Sequence, residues 1–281
     1  MTHAEALRDE LVRRIDETAF AAHGLHVRVG DDVAEHRWTP DVREEIHSVA
    51  KAVSVLAAGI AADEGLVSLD EPIETARERD VTLRRLLTMT SGIDFPWSPT
   101  LMSDWPDLAA EFLSRPSRGR VFQYSNASTY TAMSVLAERI GDIDEYLRPR
   151  LFSPLGLDDI VWDRCPNGRV LGGEGLSLRT EEMARLGLLI RDRGVWGGRR
   201  LVSMGIVDAM HAGWVDTGST GDGYRRYALA GWEGPGAAWR LHGAYGQLIV
   251  FAGDAVVTTS ADDHAGADAI AAFVAEAATG R

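Results

Sequence analysis

The chain has 281 residues, 45% of them hydrophobic and 25% charged, which is ordinary globular material for one large domain or a domain with an insertion. Its net charge of −13 disfavours nucleic acid and anionic membrane surfaces as partners, because phosphate binding rests on basic patches. The single cysteine, Cys165, excludes an intrachain disulfide, and no cysteine cluster has the spacing of a metal site.

Met1 to Glu17 carries acidic and basic residues throughout, without an apolar stretch of signal-peptide length, so a cytoplasmic location is expected. Leu7, Leu11, Ile15 and Phe20 have helical spacing and predict a helix over Ala4 to Ala22, stopped by Gly24. Leu25 to Val29 alternates, Gly30-Asp31-Asp32 makes a hairpin turn, and Val33 to Trp38 returns as a second strand. Val49, Val53, Leu56 and Ile60 then mark a helix that begins near Ser48 and ends at Gly65. The apolar run Val49 to Ala62 is too short to span a bilayer, so no membrane insertion is expected.

Ile73 to Val202 reads mostly as helical segments broken by loops rich in Pro, Gly, Ser and Asp. After a helical stretch from Met204 to His211, short apolar runs predict strands at Tyr227–Trp232, Ala238–Leu241, Leu248–Phe251 and Val256–Ser260, with Gly253-Asp254 turning the last pair. Asp263 to Ala278 closes as a helix. The economical fold is α+β: one antiparallel sheet built from both chain ends, 1–72 and 203–281, flanked by helices, with 73–202 as a mostly helical insertion.

Of the 29 basic residues one is lysine, Lys51, and the other 28 are arginine. A lysine can lose its proton, whereas an arginine in a protein cannot. Lys51 follows Ser48 by three positions, a spacing that lets the two side chains meet on a helix. An unprotonated amine there can take the hydroxyl proton and leave a nucleophilic alkoxide. A codon bias against lysine explains its scarcity but not the place of the survivor. By itself Ser-x-x-Lys is a weak motif, and an N-terminal serine cap beside a solvated lysine is its bland reading. The apolar neighbours Val49, Ala50, Ala52 and Val53 argue against solvation.

Two further segments bear on the same chemistry. Phe122-Gln123-Tyr124-Ser125-Asn126 precedes an apparent helix, where Ser125 or Asn126 would serve as an ordinary N-cap. Trp239-Arg240-Leu241-His242-Gly243-Ala244-Tyr245-Gly246-Gln247 sits between strands, as a glycine-containing hairpin would. Taken in order, Ser48/Lys51, Tyr124/Asn126 and His242/Gly243/Ala244 resemble the three motifs of the serine β-lactamase and penicillin-binding-protein superfamily, in its class C-like branch of esterases, amidases and peptidases. Flanking phrases are similar too: Gly65 to Pro72, Leu86 to Gly92, and Gly173-Glu174-Gly175-Leu176-Ser177 before a helix. The similarity covers roughly residues 25 to 275. Met89 stands where the family often has histidine, and Ala244 replaces the usual glycine.

The resemblance implies a β-lactamase-like fold and an acyl-enzyme on Ser48. Lys51 and Tyr124 would be general base and acid, and a Lys51 cation would lower the Tyr124 pKa from its usual value near 10. Asn126 would orient the substrate and Lys51, and His242 would bind substrate or polarise Tyr124. The N–H groups of Ser48 and of Ala244 or Tyr245 would hold the oxyanion, with Gly243 and its neighbours lining the substrate site. Trp97, Trp105 and Tyr245 are candidates for an aromatic pocket, with ordinary loop packing as the alternative. No metal or organic cofactor is called for, and the expected partner is a small ester, amide or lactam. The competing readings are a β-lactamase or D-amino-acid peptidase, and a non-catalytic ligand-binding homologue.

Overall fold

Helix α1 (His3–Thr18) starts from a reciprocal cap, Thr2 accepting from the Glu5 N–H at 3.2 Å and Glu5 accepting from the Thr2 N–H at 2.7 Å. Ala4, Leu7, Leu11 and Ile15 form its buried stripe. It ends short of the expected Ala22, with Ala19 left-handed at φ 53°. The cause lies in the sheet, where Ala22 already pairs with Ala261. Strand β1 (Ala22–Val29) therefore runs through Gly24 and turns at Gly30, φ 56°, into β2 (Asp32–Arg37).

The computed structural model describes residues 1–95, 107–221 and 223–279. Its further elements are β3 (Glu44–Glu45), α2 (Ala50–Asp63), α3 (Leu83–Leu87), α4 (Leu108–Ser114), α5 (Asn126–Ile140) and α6 (Ile143–Leu147). Then come β4 (Val161–Trp162), β5 (Leu176–Leu178), α7 (Thr180–Arg191), β6 (Val195–Trp196), β7 (Arg199–Arg200) and α8 (Met204–Asp208). The chain closes with β8 (Val215–Asp216), β9 (Arg226–Tyr227), β10 (Trp232–Glu233), β11 (Trp239–Gly243), β12 (Gln247–Ala252), β13 (Ala255–Ala261) and α9 (Ala267–Thr279).

Eight strands form one antiparallel sheet in the order β2-β1-β13-β12-β11-β10-β9-β8. The junction of β1 with β13 joins the two chain ends, as the sequence predicts. Leu25, Val27, Leu248, Val250 and Val257 share a core with the apolar stripes of α1 and α9. Leu241, Ile249, Phe251 and Val256 belong to the other core, with α2 and α5. Helix α7 lies between 73 and 202 in sequence but packs on β13, where Gly187 lets Ile249 and Val256 approach. Helix α2 is apolar all round, with every residue from Ala50 to Ala61 buried, so it can only be an interior helix.

Two departures have local causes. The strand expected over Tyr227–Trp232 is a tight hairpin instead, its turn closed by the Ala228 N–H donating to Gly231 O at 2.9 Å with Ala230 at φ 65°. Gly231 is needed there because a Cβ would collide with the carbonyl of Met210. The second is a small sheet, β3-β5-β4, not expected from the sequence. Its strands of two or three residues are too short to carry a period of two. It ties the segment before Ser48 to Leu176, whose carbonyl accepts from the Ile46 N–H at 2.8 Å. Among the described residues no helix is long and apolar enough to cross a membrane.

The end of β11 is pressed against the segment leading to Ser48, and a Cβ at Gly243 would overlap the Ile46 carbonyl. Gly243→Ala should therefore lower unfolding stability by ~1–3 kcal/mol, as overpacking typically does. Urea denaturation measures this, and an unchanged midpoint would show that the close approach is not required.

Candidate active site

Ser48 sits in a single 3₁₀ turn, His47–Val49, that leads directly into α2. Its predecessor His47 holds a left-handed φ of 47°, a sparsely populated conformation for a non-glycine residue. The turn leaves Ser48 half-buried with its N–H among the unpaired amides of a helix start.

Lys51 lies one turn on and is 2% exposed. Its Nζ lies 2.8 Å from Ser48 Oγ, 2.5 Å from Asn126 Oδ1 and 2.9 Å from the Gly173 carbonyl. Burial lowers its pKa to about 7, against an opposing pull from the Glu174 carboxylate. The partners fit the neutral amine. In the neutral form Asn126 Oδ1 and Gly173 O, which only accept, take its two N–H groups and leave the lone pair for the Ser48 hydroxyl, whereas an ammonium donates to all three. The Asn126 orientation is set by its Nδ2, which donates to Glu174 Oε2 at 2.8 Å.

Tyr124 and Asn126 flank Ser125, which caps α5 by accepting from the Ser128 N–H. The Tyr124 hydroxyl lies near enough to Ser48 for the two to interact, and its ring packs against Tyr227 and Trp232 at 5.8 and 5.5 Å between centroids. Lys51 Nζ lies over the Tyr124 ring, 4.8 Å from its centroid. Burial pushes the Tyr124 pKa well above the ordinary phenol value. This reverses the expected lowering by a lysine cation, because the same burial that enfolds the phenol favours a neutral amine beside it. Met89, at the position where histidine was a family expectation, is buried, and its carbonyl accepts from the Gln123 N–H at 2.8 Å, steadying the approach to Tyr124.

Beyond Gly243 the chain turns through Ala244, Tyr245 and Gly246 into β12. Tyr245 has φ 59°, and its N–H donates to His264 Nδ1 at 3.5 Å. Its ring is 47% exposed and lies 5.1 Å from that of His47. His242 contacts Tyr224 Oη at 3.3 Å and Asp268 at 3.7 Å, in a group completed by the Arg240–Asp268 ion pair. Burial and the Arg240 cation lower the His242 pKa to about 4, so the imidazole is neutral near neutral pH. Trp97 and Trp105 lie outside the described residues.

Glu174 and the Gly173 carbonyl had no assigned role in the sequence, although the phrase Gly173-Glu174-Gly175 stood out. An acidic residue between two glycines was the available signal. A Cβ on Gly173 would stand 3.3 Å from Lys51 Nζ and 3.2 Å from Asn126 Oδ1, tight enough to disturb both. Among the described residues no group of three or more His, Cys, Asp or Glu is arranged to hold a metal.

Residues 10–279 match the sequence model of the family described as Beta-lactamase. The chain belongs to the β-lactamase family. It is 28% identical over 250 residues to a 6-aminohexanoate-dimer hydrolase of Paenarthrobacter ureafaciens, covering 76% of this chain and 63% of that protein's length. In fold it resembles the D-amino acid amidase of Ochrobactrum anthropi SV3, with TM-score 0.74, 15% identity and 98% coverage of both chains. It likewise resembles a penicillin-binding-protein homologue of Caulobacter crescentus, with TM-score 0.77, 15% identity, and coverage of 98% of this chain and 96% of that one.

In this β-lactamase-family chain the Lys51 environment has a consequence for stability. The folded pKa of about 7 lies below the ordinary 10.5, so between those values the unfolded chain binds more protons. Stability contributed by this site therefore rises with pH across that window and is lowest below it. The unfolding free energy of the wild type should gain on that of Lys51→Met as the pH rises from about 7 to about 10. Parallel curves in urea titrations would contradict a depressed Lys51.

Proposed function

We propose that this chain is a serine hydrolase of small esters or amides, acting through an acyl-enzyme on Ser48. The observation that carries the reading is the buried Lys51 amine, with two acceptors occupying its N–H groups and the Ser48 hydroxyl at its lone pair. As Ser48 Oγ attacks the carbonyl carbon, Lys51 takes the hydroxyl proton. The resulting ammonium is stabilised by the Tyr124 ring and by Glu174. Its proton passes through the Tyr124 hydroxyl to the leaving alkoxide or amine. Deacylation reverses the path: water attacks the acyl carbonyl and gives its proton through Tyr124 to Lys51, which returns it to Ser48 Oγ as the acyl C–Oγ bond breaks and the acid departs.

The oxyanion would lie between the N–H of Ser48 and that of Ala244. Ala244 is preferred over Tyr245 because the Tyr245 N–H is turned towards His264. Each such donor is worth about 3–4 kcal/mol in the transition state. Asn126 holds Lys51 and orients the substrate, while Gly243 and Tyr245 border the entrance. His242, engaged with Tyr224 and Asp268, acts at the side of the site rather than on the Tyr124 proton. In the same reading 1–72 and 203–281 form the sheet domain, and 73–202 supplies Tyr124, Asn126 and Glu174 from the helical side.

Fluorophosphonate should label Ser48 alone, as read by peptide mapping, and Lys51→Arg should lose at least ~10²-fold in kcat/KM while the fold persists. Labelling of Ser125, or no label at all, would overturn the Ser48 mechanism, and a Lys51→Arg variant within about threefold of wild type would make Lys51 an electrostatic or structural residue only.

Short-chain activated esters should be cleaved much faster than β-lactams. A neutral His242 offers neither a permanent charge nor a hydroxyl to a β-lactam carboxylate. The measurement is kcat/KM for p-nitrophenyl acetate against nitrocefin on one preparation. A nitrocefin value equal to or above the ester value would favour a β-lactamase instead.

A further inference from the structure

Glu174 lies outside the three motifs, yet it is fastened on every side. Its backbone carbonyl accepts from Trp162 Nε1 at 2.9 Å, and the next residue's N–H, Gly175, donates to Glu45 Oε1 at 2.8 Å. The preceding carbonyl, Gly173 O, accepts from Lys51, and the carboxylate itself accepts from Asn126 Nδ2. The side chain is therefore not a solvated acid that happens to be near. It is built into the group that seals the amine.

An amide can be turned by 180° at little steric cost, exchanging its oxygen for its NH₂. Turned that way, Asn126 would present donors to Lys51, and the amine would lose one of the two acceptors that leave its lone pair for Ser48. An ionised carboxylate only accepts, so a partner of that kind at Nδ2 permits one orientation alone. We propose that Glu174 is a positioning residue for the base: it fixes the Asn126 amide with its oxygen towards Lys51, and its negative charge acts on that amine across the amide. This rests on the serine-hydrolase reading of Ser48 and Lys51.

The charges around this group come from several elements. Burial raises the Glu174 pKa above its ordinary value, with Lys51 opposing the rise and Glu45 adding to it. Glu174 in turn raises the pKa of Lys51 and adds to the rise at Tyr124. His47, beside the nucleophile, is lowered by burial and by Lys51 and raised by Glu45, so it is governed by neighbours other than Glu174. Removing the Glu174 charge should therefore act mainly on Lys51. The sign is fixed: without the carboxylate the amine binds its proton less tightly, so the neutral, active form persists to lower pH.

The test is the pH profile of kcat/KM for p-nitrophenyl acetate, with the pH-dependent rate of fluorophosphonate labelling, in wild type, Glu174→Gln and Glu174→Ala. Gln keeps an acceptor for Asn126 and removes the charge, so its acid limb should move to lower pH by about one unit, with a plateau loss smaller than that of Glu174→Ala. Ala removes both, and its plateau should fall by roughly tenfold or more. An acid limb unmoved in Glu174→Gln, on a wild type labelled at Ser48, overturns the role of Glu174 and leaves the hydrolase reading intact. A wild type that takes no label at Ser48 overturns the hydrolase reading, and this proposal with it. Should Glu174→Ala fail to fold, Glu174→Gln still decides.

Discussion

An ammonium removed from water loses several kcal/mol of solvation, and among the described residues no carboxylate is seen to touch Lys51 directly to return it. Its contacts are a hydroxyl, an amide oxygen and a main-chain carbonyl. Three acceptors can serve an ammonium as well, so it is burial that favours the neutral amine, the form the proposed reaction uses. The cost of burial is thus converted into basicity near neutral pH. Much of the surrounding architecture serves to keep that one amine dry.

Helix α2 supplies the dry surroundings, since apart from Lys51 and Ser54 its buried faces are apolar and need α3, α5 and α8 packed around them, in a core shared with Leu241, Ile249 and Phe251 of the sheet. Access is then a matter of close approach. Gly243 lets β11 lie against the Ile46 carbonyl, and Gly173 lets a main-chain oxygen reach Lys51. The small β3-β5-β4 sheet links the strand before Ser48 to the residues just after Glu174. Three distant stretches of chain meet within hydrogen-bond distance because glycine stands at the contacts that would otherwise clash.

Around this polar centre the walls are aromatic and close to neutral. Tyr124, Tyr227 and Trp232 pack edge to face or tilted, and Tyr224 continues the group towards His242. Arg240 is held by Asp268, and the neighbouring imidazole is neutral. Under the proposed function, a site of this kind would recognise an acyl group by shape and by its carbonyl oxygen more than by charge.

What local periodicity encodes was legible in the sequence. The pairing of Ser48 with Lys51 follows from the i, i+3 geometry of a helix, and the β1–β2 and β12–β13 hairpins follow from alternation and turn residues. Ser125 between Tyr124 and Asn126 was readable as a cap because capping is also local. Strands of two residues left no period to detect, and the tight turn at Ala228–Gly231 lays Gly231 against the Met210 carbonyl, a contact no local pattern signals. The partners of Lys51 and Asn126 lie 75, 122 and 48 residues apart along the chain. The sequence by itself therefore singled out Ser48, Lys51, Tyr124 and Asn126, which the fold brings to one place. Only the tertiary structure decided their protonation, the role open to Glu174 and the direction of His242, because desolvation depends on what the folded chain packs around a group.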